Sequence, residues 1–226
     1  QFADVNLRWS AKLRKLSWRS GQVAVVEVRK PRVLDLFSGG GSWSKYFRKL
    51  GFEVHTLDFD PKFRPTICAD ILEWDEQQFP PGFFDVVLAS PPCEEFSFAK
   101  TRSPRDLGKG DKLVLRTLQI VEYLQPSVWM LENPRNLLVH RPYMQGIPYI
   151  DIDYCMFSEW GYRKMTRVWG SACIASLKSR TCDGTCGHVV EEYPGGPKRH
   201  EVWLGGHGPQ VSWKDKIRNP EKAVAY

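Results

Sequence analysis

Cys93 follows two prolines in Ser90-Pro91-Pro92-Cys93-Glu94-Glu95-Phe96-Ser97, directly after the apolar run Asp85-Val86-Val87-Leu88-Ala89. Such a run reads as a buried strand, and the end of a strand is where an open α/β sheet carries its chemistry. The prolines fix the backbone and remove amide donors, so the thiol is displayed on a stiff loop and suggests a nucleophile. The alternative is a small cysteine that only packs. Glu132-Asn133-Pro134 ends another apolar run, Val128 to Leu131.

A third constellation suits a ligand. Asp35-Leu36-Phe37-Ser38-Gly39-Gly40-Gly41-Ser42 leaves a predicted strand and enters a predicted helix, and its glycines let backbone approach a ligand at the helix start. It is not a Walker loop, which needs Lys-Ser or Lys-Thr after the last glycine, nor a full Gly-x-Gly-x-x-Gly. Asp58 ends the second predicted strand about twenty residues on, where an acidic side chain grips ribose hydroxyls. Asp70, in Cys68-Ala69-Asp70-Ile71, is placed to accept from an adenine amino group. Either aspartate alone reads as a cap or turn residue; the ordered set predicts an adenosine-type ligand.

Positioning these groups takes alternating strands and helices. Strands are predicted at Val33 to Phe37, Glu53 to Asp58, about Thr66 to Cys68, Asp85 to Ala89, Val128 to Glu132, Tyr149 to Tyr154 and Thr166 to Gly170. Helices are predicted from about Ser42 to Leu50, with Gly51 as the stop, and from about Asp111 to Gln125, where Leu113, Val114, Leu118, Val121 and Leu124 recur at helical spacing. This alternation implies a doubly wound, mostly parallel sheet. The predicted organisation is a basic lead segment over 1–30, a catalytic domain over 31–170, a loop-rich appendage over 171–210, and a C-terminal segment over 211–226 that reads as truncated.

The 226 residues carry 32 Lys and Arg against 26 Asp and Glu, a net charge of +6, which favours a polyanionic partner without demanding one. Arg8, Lys12, Arg14, Lys15 and Arg19, interleaved with Trp9 and Trp18, suit nucleic-acid contact or a solvated helix face equally. No apolar window is long enough for a membrane span and no secretory signal is present, so a soluble, intracellular protein is expected, nuclear if eukaryotic and otherwise cytoplasmic. The core-like settings of Cys68 and Cys155 argue for a reducing compartment over three disulfides. In the appendage, Cys182-x3-Cys186-x-His188, with His200 and Cys173 near in sequence, offers ligand types suited to zinc; unliganded loop thiols are the alternative. A metal there would staple a segment too poor in apolar residues to hold itself.

Taken in order, these motifs resemble the cytosine-5 DNA methyltransferase family. Asp35 to Gly41 is similar to its S-adenosylmethionine loop, Pro91-Pro92-Cys93 with Phe96-Ser97 to its nucleophile loop, and Glu132-Asn133-Pro134 to its Glu-Asn-Val or Glu-Asn-Pro motif, over roughly Val33 to Gly170. The resemblance implies a Rossmann-like class I methyltransferase that methylates carbon 5 of cytosine in DNA. It implies cofactor contacts from Asp35, Phe37, Ser38, Gly39, Gly41, Asp58, Asp70 and Pro91. Cys93 would add to carbon 6, and protonated Glu132 would bond nitrogen 3 so that charge does not accumulate on the ring. No residue stands out as the base that removes the carbon-5 proton, and water can serve.

A duplex substrate would have its target base flipped out, with Ser97, Lys100, Arg102, Arg105 and Lys109 holding phosphates beside a loop that Gly108 and Gly110 keep flexible. The family's Gln-x-Arg-x-Arg motif is partly matched by Tyr162 to Gly170. Arg167 takes the place of the second arginine, contacting the base oxygen or a nearby phosphate, but Met165 stands where the first would be, and Lys164 or Arg163 can substitute. The Gly-Asn-Ser helix is not found, and the region after Gly170 is short for a target-recognition domain, which resembles a compact, phage- or virus-like branch. The rivals are the same chemistry on RNA and a catalytically idle DNA-binding module.

Overall fold

The computed structural model describes residues 17–19, 22–24, 29–98, 100, 103–157, 161–191 and 198–200. Arg102, residues 1–16 and the 211–226 segment therefore lie outside the described residues. Within the lead segment, β1 (Ser17–Arg19) and β2 (Gln22–Ala24) pair antiparallel, so a helix face does not account for these six residues.

Five parallel strands follow: β3 (Arg32–Leu36), β4 (Glu53–Asp58), β5 (Ile67–Cys68), β6 (Val86–Ala89) and β7 (Val128–Pro134). β8 (Tyr149–Asp153) and β9 (Met165–Gly170) complete a seven-stranded sheet of order β5-β4-β3-β6-β7-β9-β8, with β9 antiparallel to both neighbours. This is the mostly parallel, Rossmann-like sheet expected. The strand order reverses at β3 and β6, and the glycine turn and the Cys93 loop both leave the carboxyl ends of those strands, at the switch point where such sheets bind ligands. A third pair of short strands, β10 (Val189–Glu191) and β11 (Lys198–His200), forms a separate hairpin.

Alternation along the strands builds a core on each side of the sheet. Leu34, Leu36, Val87, Ala89 and Leu131 meet Val114, Ile120, Val121 and Leu124 of α2 (Leu107–Leu124). Val33, Val86 and Leu88 meet Trp43 and Phe47 of α1 (Ser42–Lys49). Helix α2 begins one turn earlier than its apolar spacing predicts, because the Asp106 side chain caps the amide of Lys109 at 2.9 Å. Gly108 and Gly110 therefore lie in a helix rather than a flexible loop. A Cβ on Gly110 would come within 2.8 Å of Phe96 Cζ, so close approach to the nucleophile loop is what requires glycine there. No helix among the described residues is long and apolar enough to cross a membrane.

Gly170 sits where β9 meets β7, and a Cβ there would lie 2.2 Å from the Trp129 carbonyl oxygen and 2.9 Å from Ile174 Cγ1. Backbone cannot yield as a flexible side chain can. Gly170→Ala is expected to cost about 1–3 kcal/mol, read as a lowered midpoint in urea with an unchanged slope.

Candidate active site

The Cys93 loop is anchored on three sides. Pro91 is buried, and its carbonyl accepts from Asn133 Nδ2 at 2.9 Å, which ties the loop to the end of β7. The Ser90 hydroxyl accepts from Trp43 Nε1 at 3.0 Å, linking it to α1. Beyond Cys93 the chain makes one tight turn, with the amides of Phe96 and Ser97 donating to the Cys93 carbonyl at 3.0 and 2.9 Å. Phe96 is fully buried and locks the turn into the core. Cys93 itself stays half-buried, displayed at the sheet edge.

Glu132 stands on β7, and its Oε1 lies 3.1 Å from Lys164 Nζ. The Lys164 ammonium also sits 4.9 Å from the centre of the Tyr154 ring. Burial is the largest influence on the Lys164 pKa and lowers it, but Glu132, Tyr154 and Cys93 together bring the net shift upward, so the cation persists. Burial pushes the Cys93 thiol above its ordinary value; the Lys164 charge pulls it down and the Glu132 charge pushes it up. Cys93, Glu132 and Lys164 thus form one electrostatic group, with Tyr154 and Tyr162 beside it. Burial of the Tyr154 hydroxyl, aided by Glu132, pushes its pKa up to about 12, which keeps the phenol neutral.

A measurable consequence concerns thiol reactivity. A raised pKa keeps Cys93 protonated at neutral pH, so its alkylation by iodoacetamide, followed on its own peptide, should rise with pH through and beyond about pH 9. Lys164→Met removes a charge that favours the thiolate, and should move that curve further to the alkaline side.

Arg167 does not join this group. Its guanidinium makes a bidentate pair with Asp151 of β8, at 2.7 and 2.9 Å, and lies 3.6 Å from the Tyr149 ring centre. Lys164 and Arg167 are three residues apart along extended chain, and an odd separation sends two side chains to opposite faces of a sheet. Arg163 is also committed elsewhere, donating to Asp153 Oδ2 at 3.0 Å and to the Cys182 carbonyl at 3.2 Å. Of the three cations considered for this place, Lys164 is the one beside Glu132.

Ion pairs also reassign part of the basic stretch. Lys100 Nζ lies 2.6 Å from both Glu95 oxygens and 3.6 Å from Glu94, and is largely buried, so it clamps the nucleophile loop internally. Arg105 donates to the Ser97 carbonyl at 2.8 Å while remaining exposed, and Lys109 is exposed in the first turn of α2.

The glycine turn is shaped as a cradle. Phe37, Gly39 and Gly41 have positive φ of 57°, 45° and 78°, which carries the chain sharply from β3 into α1. The Ser38 amide donates to the Leu57 carbonyl and the Gly39 amide to Asp58 Oδ2, at 3.1 and 2.8 Å. Asp58 thus holds the turn against β4. Asp35 is buried beneath it and accepts from the Ser44 hydroxyl through Oδ2, while Oδ1 has no hydrogen-bond partner in the structure. Burial pushes the Asp35 carboxyl up to about 6, against the opposing bond from Ser44. Asp70 is exposed at the end of β5, with Oδ1 accepting from the Leu72 amide at 2.9 Å. Phe59, directly after Asp58, is 72% exposed.

Among the metal candidates, Cys182, Cys186 and His200 come together, but the fourth ligand type is supplied by Cys155 and not by His188. His188 precedes β10, whereas His200 lies on β11 opposite Val189, so the hairpin brings the later histidine to the thiols. Cys173 is exposed and belongs to no such group among the described residues.

Residues 31–174 match the family model of the C-5 cytosine-specific DNA methylase. The "Probable DNA (cytosine-5)-methyltransferase" of Frog virus 3 (isolate Goorha) is 36% identical over 196 residues, covering 78% of this chain and 88% of that protein. The "Type II methyltransferase M.NgoFVII" of Neisseria gonorrhoeae is 33% identical over 153 residues, and "Type II methyltransferase M.XorII" of Xanthomonas oryzae pv. oryzae 29% over 139 residues. These cover 63% and 53% of this chain but only 40% and 32% of the bacterial proteins. A thiol, a carboxyl and a cation gathered beside a glycine cradle, together with a match over most of the chain, make this chain a member of the C-5 cytosine-specific DNA methylase family.

Proposed function

We propose that this chain transfers a methyl group to carbon 5 of cytosine in DNA through a covalent Cys93 adduct, with S-adenosylmethionine as donor. The observation that carries the reading is the grouping of Cys93, Glu132 and Lys164 at the sheet edge beside the glycine turn. S-adenosylmethionine, when bound, supplies an electrophilic methyl group. The turn fits it through residues of this chain: glycine backbone open to close approach, the carboxyls of Asp58 and Asp70 for ribose and adenine, and the ring of Phe59 for the purine face. The orphaned buried Oδ1 of Asp35 adds an acceptor below the turn.

Cys93, its thiol proton passed to solvent, attacks carbon 6 of a cytosine flipped out of the duplex, and after methyl transfer water takes the carbon-5 proton as the sulfur–carbon bond breaks. Negative charge then developing on the ring is met by two groups 3.1 Å apart: Glu132, which takes up a proton when the base binds and donates it in a hydrogen bond to nitrogen 3, and the Lys164 ammonium, placed toward the base oxygen. The Asn133 bond to Pro91 holds the loop so that the thiol does not have to be repositioned in the transition state. Arg105 and Lys109, exposed beside this loop, are the described cations suited to phosphate contact. Zinc has no part in the reaction on this reading; it belongs to the loop-rich segment.

Incubation with methyl-labelled S-adenosylmethionine, duplex DNA and transfer RNA tests the proposal. Label on DNA is expected; label on RNA alone, or on neither, would overturn it.

A further inference from the structure

Cys155, Cys182, Cys186 and His200 lie outside the reaction centre, and every pair of their ligand atoms is within 4.8 Å. The Cys182 and Cys186 sulfurs are each 3.4 Å from His200 Nε2. A tetrahedral zinc with bonds of ~2.0–2.3 Å sets its ligand atoms roughly 3.5–3.8 Å apart. The two sulfur–nitrogen edges are already at that spacing. Cys155 and Cys182 are buried and Cys186 and His200 half-buried, so the centre of the four is shielded from solvent.

We infer that these four residues form a structural Cys3His zinc site that fastens the β10–β11 hairpin to the end of β8. Three soft thiolates with one imidazole, and no carboxylate, select zinc over hard cations. The surroundings are built for it. Gly184 and Gly187 have φ of 101° and 81°, which folds Cys182 and Cys186 toward one point, and the Gly184 amide donates to Cys182 Sγ at 3.3 Å. Asp153, buried at the end of β8, accepts from the Cys182 amide at 2.9 Å and from Arg163 at 3.0 Å, fixing that ligand from behind.

The segment also needs such a fastening. Beyond Ile174, Cys182 is the one buried apolar residue among the described residues, and two three-residue strands do not hold a hairpin unaided. A disulfide accounts for the group less well, since one of three thiols would remain over. The fastening reaches the reaction centre: Cys155 follows Tyr154, whose ring lies under Lys164 and whose amide donates to the Lys164 carbonyl at 3.2 Å. Zinc would therefore steady the cation that pairs with Glu132, although its binding does not depend on the proposed reaction.

Metal analysis of the purified full chain under reducing conditions is expected to find about one zinc per chain. Zinc affinity should fall at least about tenfold in Cys155→Ser, Cys186→Ser and His200→Ala, and stay unchanged in His188→Ala. Cobalt exchanged into the wild-type chain should give the thiolate charge-transfer and intense d–d bands of a tetrahedral site, which keeps the inference testable where a variant fails to fold. A chain lacking zinc, loss of zinc in His188→Ala with retention in Cys155→Ser, or a weak octahedral cobalt spectrum would overturn it.

Discussion

Cys93→Ala is expected to lower methyl transfer to DNA by roughly ten-thousand-fold or more, the scale on which a covalent nucleophile is lost. Without the thiolate, carbon 5 of cytosine is too electron-poor to attack a methyl group, and a different route has to operate. The exposed thiols of Cys68 and Cys173 cannot take over, because Cys68 donates to the Phe59 carbonyl near β5 and Cys173 lies in the turn after β9. The alanine chain should keep its fold, because Pro91 and Phe96, not the thiol, anchor the loop. Retained binding of S-adenosylmethionine by calorimetry, beside absent turnover, distinguishes lost chemistry from lost structure. Turnover within tenfold of wild type would be the behaviour of a chain that does not use this nucleophile.

The second large effect separates two cations that the sequence motif does not. Lys164→Met should reduce kcat roughly 100- to 1,000-fold with a smaller change in KM, because it removes a charge beside the group that stabilises the reacting ring. Arg167→Met should instead act on stability. It leaves the Asp151 carboxylate, largely buried, with only the 3.3 Å contact to Arg135, at a cost of about 1–3 kcal/mol. Burial raises the Asp151 pKa, but Arg167 and then Arg135 bring it net below its ordinary value. A depressed carboxyl contributes stability above its unfolded pKa and loses it as pH falls through the folded one. The gap between wild type and Arg167→Met should therefore be full at neutral pH and close in acid. Urea midpoints at several pH values, with kcat for both variants, would reveal a reversal of the two roles.

Most of the sheet was legible because the strands are apolar runs bounded by turn residues, and Glu53–Asp58 was read to its limits. The start of α2 was not, because Gly108 and Gly110 resemble a loop until the ring of Phe96 is in place against them. At the site, Cys93 and Glu132 are legible from strand ends, whereas Lys164 and Arg167 part because Arg167 lies within β9 opposite Asp151 and Lys164 just before it, beside Glu132. The parity of their spacing, and the acidic Asp151 on the neighbouring strand, were the signals for telling them apart. Lys100 read as a phosphate grip because its partner Glu95 is five residues away in a turn whose shape was not predictable. Cys155 lies far along the chain from Cys182, and the pairing of Arg180 beside Ile152 and Asp153 at the end of β8 is what brings them together.

The covalent step itself is open to direct observation. A DNA duplex carrying 5-fluorocytosine at the target site forms the adduct and accepts the methyl group, but has no proton at carbon 5 to release. Incubated with the full chain and S-adenosylmethionine, it should yield a denaturant-stable protein–DNA complex whose peptide map shows Cys93 as the attached residue. A complex joined through any other residue, or methylation of ordinary cytosine with no trapped complex under the same conditions, would contradict the account.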